Sequence, residues 1–328
     1  MNGMHTDLPS HPHSFVKMHT GNSQFVRPSL GAWTLYGLGT ESRNLPGFIV
    51  LNPSSGNGGA QNYGSAFLPA IYQATPISGS SGQISNIANR RMSRERQRMQ
   101  LDLVQGLNQG RLRQKQVDPN LESVIDSLEL AFKMQTEVPQ LMNVYKESSS
   151  VRRAYGIGSR STDSFGKQCL LARRMAEAGV RFIELNSGGW DHHRGLKSGM
   201  ERNCRAIDKP IAALLADLEK RDMLKDTLVM WGGEFGRTPH GESDDGRDHN
   251  NRGYTMWMAG GGVKGGMRYG QTDEYGFAAV DGRMHIHDWH ATVLHLLGLD
   301  HKKLTFHYSG RDFRLTDVHG EVAKKILA

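Results

Sequence analysis

The spacing of apolar positions changes near residue 160. Before it the period is helical. Residues 94–108 and 120–145 carry apolar side chains, among them Val124, Leu128, Phe132 and Met134, at helical spacing. Asp118-Pro119 signals the start of the second helix, and Pro139 is expected to kink or divide it. After residue 160, short apolar runs alternate with amphipathic helices. VRFIELN (180–186), TLVMWGG (227–233) and YTMWMAGGG (254–262) read as strands. SFGKQCLLARRMAEAG, closed by Gly179, reads as a helix. So do residues 197–222, with a bend at Pro210, and HDWHATVLHLLGL, 287–299. Nearer the N-terminus, residues 14–38 suit two short helices around RPSLGAW. GFIVLN (47–52), between Pro46 and Pro53, suits a buried strand, and residues 53–64 and 78–90 suit loops.

Strands separated by helices imply an α/β fold with a mainly parallel central sheet flanked by helices. One domain over residues 1–328 accommodates the pattern, with 90–160 as a helical insertion or cover. Sites in such sheets lie at the carboxyl ends of the strands, and the polar motifs of this chain fall there.

Hydrophobic residues make up 37% of the chain, and its mean hydropathy is −0.53. That is polar, yet 328 residues bury a sizeable core. No apolar run reaches the eighteen or so residues of a membrane span, and no charged segment followed by an apolar one marks an export signal. Cys169 and Cys204 both fall on expected helices, which argues against a disulfide framework. The net charge of +7 originates largely in residues 90–115. Nucleic-acid binding would need aromatic residues among those charges, and there are none, so the segment reads as a solvated helix face.

Histidine is the residue whose placement adds most. Four of fifteen (His5, His11, His13, His19) lie in the first nineteen residues, and the other eleven lie between His192 and His319. Imidazole is the commonest metal ligand, so the two ends are expected to meet around one polar site. Asp191 and His193, directly after a strand in GGWDHHRG, suit a divalent ion, with His192 turned away. In WGGEFGRTP, Glu234 suits a metal and Arg237 a tetrahedral oxyanion. Asp248 and His249 precede a strand. His287, Asp288 and His290 begin a helix, where a structural role such as capping is the better reading. Ser10, His11 and His13 precede a helix whose free amides favour an anion. The alternatives are a polar surface loop for the Asp191 motif, a Glu–Arg surface pair for Glu234 and Arg237, and a ragged terminus for the Ser10–His13 segment.

GGWDHH, GGEFGRTP, GRDHN, TMWMAGGGVKGG, HDWHATVLHLLGLDHKKLTF and GRDFRLTDVHGEV, with RPSLGAWTLYGLGTESRNLPGFIVLN, resemble a bacterial family of unknown function. It is domain-of-unknown-function family 1501, abundant in planctomycetes and often labelled sulfatase, within the alkaline-phosphatase-like superfamily. The resemblance covers essentially the whole chain. It implies an α/β sandwich with two divalent metals at the strand ends. Asp191 and His193 resemble ligands of one metal. Glu234 falls where the superfamily has an aspartate, Phe235 where it has a histidine, and His249 resembles the last metal histidine. SHPHSFVKMHTG resembles the nucleophile segment of sulfatases, with His11 at the nucleophile's place and Ser10 beside it. Relatives carry a further N-terminal region with the first strand and an Asp-rich metal motif, and an export signal. The resemblance thus implies a chain lacking its first strand region and an extracytoplasmic family.

The expected function is metal-dependent hydrolysis of a small-molecule or glycan sulfate or phosphate ester. His11, Ser10 and Arg237 are the catalytic candidates. Asp191, His193, Glu234 and His249 are the metal ligands, for zinc, calcium, magnesium or manganese. The alternative is a non-catalytic protein that binds anionic glycans or a partner protein. Neither reading calls for nucleic acid or a membrane span.

Overall fold

The computed structural model describes residues 1–78, 91–114 and 119–328. Of the loop expected at 78–90, residues 79–90 lie outside the described residues, as do Lys115 and Asp118. Among the described residues there are eight α-helices: α1 His11–Thr20, α2 Leu30–Leu38, α3 Arg94–Gln114, α4 Pro119–Met142, α5 Ser149–Ala154, α6 Asp163–Glu177, α7 Leu196–Lys220 and α8 Ile286–Leu296. The strands that matter most for the site are β1 Met4–His5, β2 Phe48–Leu51, β3 Thr75–Ile77, β4 Phe182–Leu185, β5 Val229–Trp231, β6 Gly236–Arg237, β7 His249–Asn250 and β8 Trp257–Ala259. They are followed by β9 Gln271–Thr272, β10 Ala279–Asp281, β11 Met284–His285, β12 Phe306–Tyr308 and β13 Arg311–Phe313.

The chain is α/β, but the strands do not form one mainly parallel sheet. Parallel pairing joins β3, β2 and β4 in that order, and β1 to β11. β8 was expected to continue the parallel pattern, yet it runs antiparallel to β5. The reason is the connection. Parallel neighbours need a crossover, usually a helix. Between β5 and β8 the chain has only loops and the antiparallel pair β6–β7, so it returns in the opposite direction.

β2 is the most enclosed strand. Its four residues, Phe48 to Leu51, are 0–2% exposed, as a parallel strand covered on both faces requires. One core, with Ile49, Leu51, Tyr155, Leu170, Met175 and Leu218, packs helices α6 and α7 against the sheet. Another gathers Trp33, Met256, Met284, Trp289 and Val293 from the α2 and α8 side. Pro139 does not divide its helix, since α4 continues to Met142. Pro210 likewise lies inside α7.

α3 and α4 pack together in the region read as a cover. Arg98 bridges Asp102 and Glu129, and the guanidiniums of Arg94 and Arg98 lie 5.1 and 5.0 Å from the Phe132 ring centre. Part of the basic segment is therefore spent on joining the two helices. Cys169 is buried in α6, Cys204 is exposed in α7, and both are free. Among the described residues, no helix is long and apolar enough to cross a membrane.

The two histidine-rich ends do meet, but in two places rather than one. The first holds the N-terminus against α8. β1 pairs with β11, and the His5 and His285 rings lie 5.1 Å apart. His285 continues to His287 at 4.9 Å, and His287 to His319 at 5.1 Å. Buried His290 bonds through Nε2 to the Met18 carbonyl at 2.7 Å. Asp288 caps α8, accepting from the amides of His285 and Glu321. This is the structural reading of the HDWH motif, made visible.

Burial is the largest cause that pushes these rings down: His5 and His285 to about 4, His290 to about 3 and His287 to about 2. Lys17, Arg283 and the neighbouring histidines add to it, and Asp288 opposes it at His5 and His285. The folded chain keeps the rings neutral where the unfolded chain, titrating near its ordinary value, takes protons. Stability is then complete above the ordinary histidine value and is lost as pH falls towards 4. For His285, 20% exposed, the drop corresponds to a few kcal/mol, on the order of 3, at about 1.4 kcal/mol per pKa unit. The melting temperature is expected to fall steeply between pH 6.5 and about 4, and His285→Gln should make that slope shallower. Identical slopes in the two proteins, measured by circular dichroism, would count against the cluster as its origin.

Candidate metal centre

Four separate segments build the second histidine cluster. Ser10, in extended conformation, precedes α1, and Pro12 fits the first turn, where its missing amide proton is not needed. His11 is thus the first helical residue. Asp191 and His193 follow β4 through a glycine-containing loop. Glu234 follows β5 after Gly232 and Gly233. Arg237 and His249 are direct cross-strand partners in the β6–β7 pair, which places their side chains together.

One oxygen is the meeting point. Asp191 Oδ1 lies 3.2 Å from His11 Nε2, 3.0 Å from His193 Nε2, 3.2 Å from His249 Nε2 and 2.5 Å from an Arg237 nitrogen. His193 Nε2 and His249 Nε2 are 3.0 Å apart. Phe235 packs beside the group, with ring centres 4.8 Å from His11 and 4.6 Å from His249.

The far nitrogens of the three rings share a second feature. Each Nδ1 faces an oxygen acceptor: Glu234 Oε1 at 2.5 Å for His11, Glu242 Oε2 at 2.6 Å for His193, and the Pro9 carbonyl at 2.8 Å for His249. A ring that donates through Nδ1 keeps its Nε2 lone pair for another partner. The three Nε2 atoms converge. His11 Nε2 is closed off from solvent and has no aligned hydrogen bond. Two trios of candidate ligands gather within 4.8 Å: His11, Asp191 and His249, and His193, Asp248 and His249. His249 has one nitrogen free for a ligand, because Pro9 holds the other.

The charges around Asp191 shift its neighbours as well as itself. Burial alone raises the Asp191 carboxyl, but the hydrogen bond and charge of Arg237, with the nearby ring nitrogens of His11 and His249, hold it well below the usual carboxylate range. The hydrogen bond to Glu242 raises His193 above its ordinary value, with the Asp191 charge adding to it. Beside the cluster opens a cavity of about 1290 Å³, lined in part by His11, Asp191, Glu234, Arg237 and the tryptophans 190, 231 and 257.

A family model described as "Protein of unknown function (DUF1501)" matches residues 1–327. The chain belongs to the DUF1501 family. No curated protein and no solved structure matches it.

In this DUF1501 chain, His11, Asp191, His193, Arg237 and His249 come together as neighbours. Glu234 sits one step further out, behind His11. Ser10 turns its hydroxyl to exposed His13, at 3.1 Å, and makes no contact with Asp191. His192 turns away, as the alternation predicted, and its ring packs on Gly199.

Sequence reading missed Glu242, and also the pair His19 and Glu184. His19 stands between two acceptors, the Phe15 carbonyl at 2.8 Å and Glu184 at 3.3 Å. Burial disfavours its charge, yet Glu184 and Phe15 outweigh that and raise it above its ordinary value. Glu242 lies in a polar loop with nothing to distinguish it. The one usable signal was Gly246. A Cβ there would meet the His193 carbonyl oxygen at 1.8 Å, so only glycine lets the 242–246 turn pass close enough for Glu242 to reach His193. Gly246→Ala should destabilise the protein by about 1–3 kcal/mol, the usual cost of overpacking, visible as a lower melting temperature. An unchanged melt would mean that the turn has another way past His193.

Proposed function

We propose that this DUF1501 chain is a hydrolase of sulfate or phosphate esters that works with one divalent cation held by His11, Asp191, His193 and His249. The observation that carries the reading is the shared orientation of three histidines. Each is held at Nδ1 by an acceptor, and each aims Nε2 at one point. Metal-binding histidines have this arrangement, since the outer hydrogen bond fixes tautomer and ring angle. With bonds of about 2.0–2.2 Å, donors around a tetrahedral ion stand about 3.3–3.6 Å apart. Four of the six pairs among these residues stand 3.0–3.2 Å apart, close to that. The solvent-excluded, unpaired His11 Nε2 fits the same account. Three nitrogens and one carboxylate favour zinc over calcium or magnesium.

A bound ion would supply Lewis acidity towards the ester oxygen and a nucleophile at neutral pH. The protein's own groups do the rest. Glu234 and Glu242 orient His11 and His193 and take no direct part. Arg237, already beside Asp191, presents a planar fork to the oxygens of a tetrahedral anion. Phe235 keeps water from one side of the cluster. The parallel β3–β2–β4 unit, with helices on both faces, suits the sandwich of alkaline-phosphatase-like enzymes. Both roles differ from those first expected: His11, a catalytic candidate by sequence, is read as a ligand, and Glu234, a ligand candidate, as its support. A non-catalytic binder of anionic glycans is the rival, favoured by Phe235, which fills the place of a further ligand.

Metal analysis of the purified protein is expected to find close to one ion per chain, and Asp191→Ala should remove most of it. Glu242→Gln should weaken metal affinity by about 10–100-fold, the usual effect of losing an outer partner. A sulfatase and phosphatase panel with zinc, calcium, magnesium and manganese then separates the readings. Turnover that Asp191→Ala abolishes supports the enzyme. Metal without turnover supports the binder, and a chain that takes up no metal sinks both the ligand set and the hydrolase.

A further inference from the structure

Three rings between α1, β11 and α8 have no place for a second proton. His285 caps α8: its Nδ1 accepts from the His287 amide at 3.2 Å, while Nε2 faces Asp7 Oδ1 at 3.1 Å. A proton on that Nδ1 would abolish the acceptor. His290 is 0% exposed and donates through Nε2 to the Met18 carbonyl at 2.7 Å. His287 is 3% exposed. The Nδ1 atoms of His287 and His290 are closed off from solvent and have no hydrogen-bond partner. A doubly protonated imidazole donates from both nitrogens. In either ring it would bury a donor without an acceptor.

The surroundings add to this. Burial is the largest force against a charge on each of the three rings. Lys17 of α1 opposes it at all three, His19 of α1 at His290, Arg283 at His285, and His319 at His285 and His287. The rings also oppose one another. Asp288 acts the other way at His285, as the Met18 carbonyl does at His290. Asp288 already serves as the cap, and Asp7 is already paired with Lys17.

Residues 4–20 rest on these rings. His5 of β1 lies 5.1 Å from His285, and Met18 of α1 is bonded to His290. The same segment supplies His11 and the Pro9 carbonyl to the Asp191 cluster. Buried Met4 and Val16 hold it closed at neutral pH. The sheet side has no such lever: residues 20–191, with β2, β3, β4 and α6, contain no histidine.

We propose that this contact is an acid-operated latch. When His285, His287 and His290 take up protons, residues 4–20 detach from β11 and α8, and His11 is withdrawn from Asp191 while the sheet stays folded. Opening gives each ring to water, where it binds a proton below about pH 6.5. Each ring then favours the open form about ten-fold per pH unit, and three together about a thousand-fold. Between pH 6.5 and 5 the gain is roughly 30,000-fold. The consequence for an ion rests on the ligand set proposed above; the detachment does not.

Hydrogen exchange by mass spectrometry on the full chain, at pH 7 and 5 with labelling times scaled to the intrinsic rate, reads the latch. The amides of 11–20 should lose protection by about a thousand-fold or more, while those of 49–51 and 169–175 keep theirs within about three-fold. His285→Gln/His290→Gln leaves one of the three rings and should cut the loss to about thirty-fold or less. If that chain does not fold, His285→Gln alone should make the loss at least about ten-fold smaller. Zinc release from the loaded chain, followed with a chromogenic chelator, should shift down by about half a pH unit in the variant. Protection kept at pH 5 overturns the latch. So does equal loss at 49–51, which is acid unfolding of the whole chain, and so does a loss unchanged in both variants. Detachment with zinc released at the same pH in both proteins overturns the link to His11. A chain that takes up no zinc at pH 7 overturns the ligand set instead, and exchange alone then decides the latch.

Discussion

The Asp191 carboxylate is the constraint on which the candidate site depends. A single oxygen draws in the first residue of α1, the loop after β4 and both members of the β6–β7 pair. Without a cation this arrangement is frustrated. If the three Nδ1 groups donate outward, the three Nε2 lone pairs face an anion and, for His193 and His249, each other at 3.0 Å. Two remedies exist. Protons can occupy the inner nitrogens, in keeping with the raised His193. A metal ion can replace them and satisfy all four groups at once. Arg237 supplies part of the missing positive charge in either case.

Much of the fold was legible because local pattern decides it. Within GFIVLN, residues 48–51 are apolar at every position and become a strand buried on both faces. The HDWH segment carries its own cap and becomes the start of α8. What local pattern does not encode is how strands are arranged between connections. The antiparallel return of β8 follows from the absence of a helix after β5. That β4 pairs with β2 alone and β5 with β8 alone, among the described residues, belongs to no single segment.

The site divides in the same way. Asp191, His193, Glu234, Arg237 and His249 were visible because each follows or flanks an apolar run and carries a ligand-type side chain. Their order outward from the centre was not. Glu234 and His11 are equally good ligands on paper, and only the tertiary closure sets Glu234 behind His11. The histidine count misled in one respect. Imidazole also serves as a packed neutral ring, and His5, His285, His287 and His290 are used that way between β1 and α8.

The cluster joins two parts of the sheet. Asp191 and His193 hang from β4; Glu234, Arg237 and His249 belong to the β5–β8 side. No backbone ladder joins those two sides among the described residues. The contacts around Asp191 are therefore a bridge between two halves of the sheet as well as a candidate centre. An ion held there would bind the native arrangement and not the unfolded chain, so it would stabilise the closed relation of β4 and β5 by mass action. The converse follows from reciprocity: whatever fixes the distance between β4 and β5 also fixes the distance between the ligands, and so changes the affinity for the ion by the same factor.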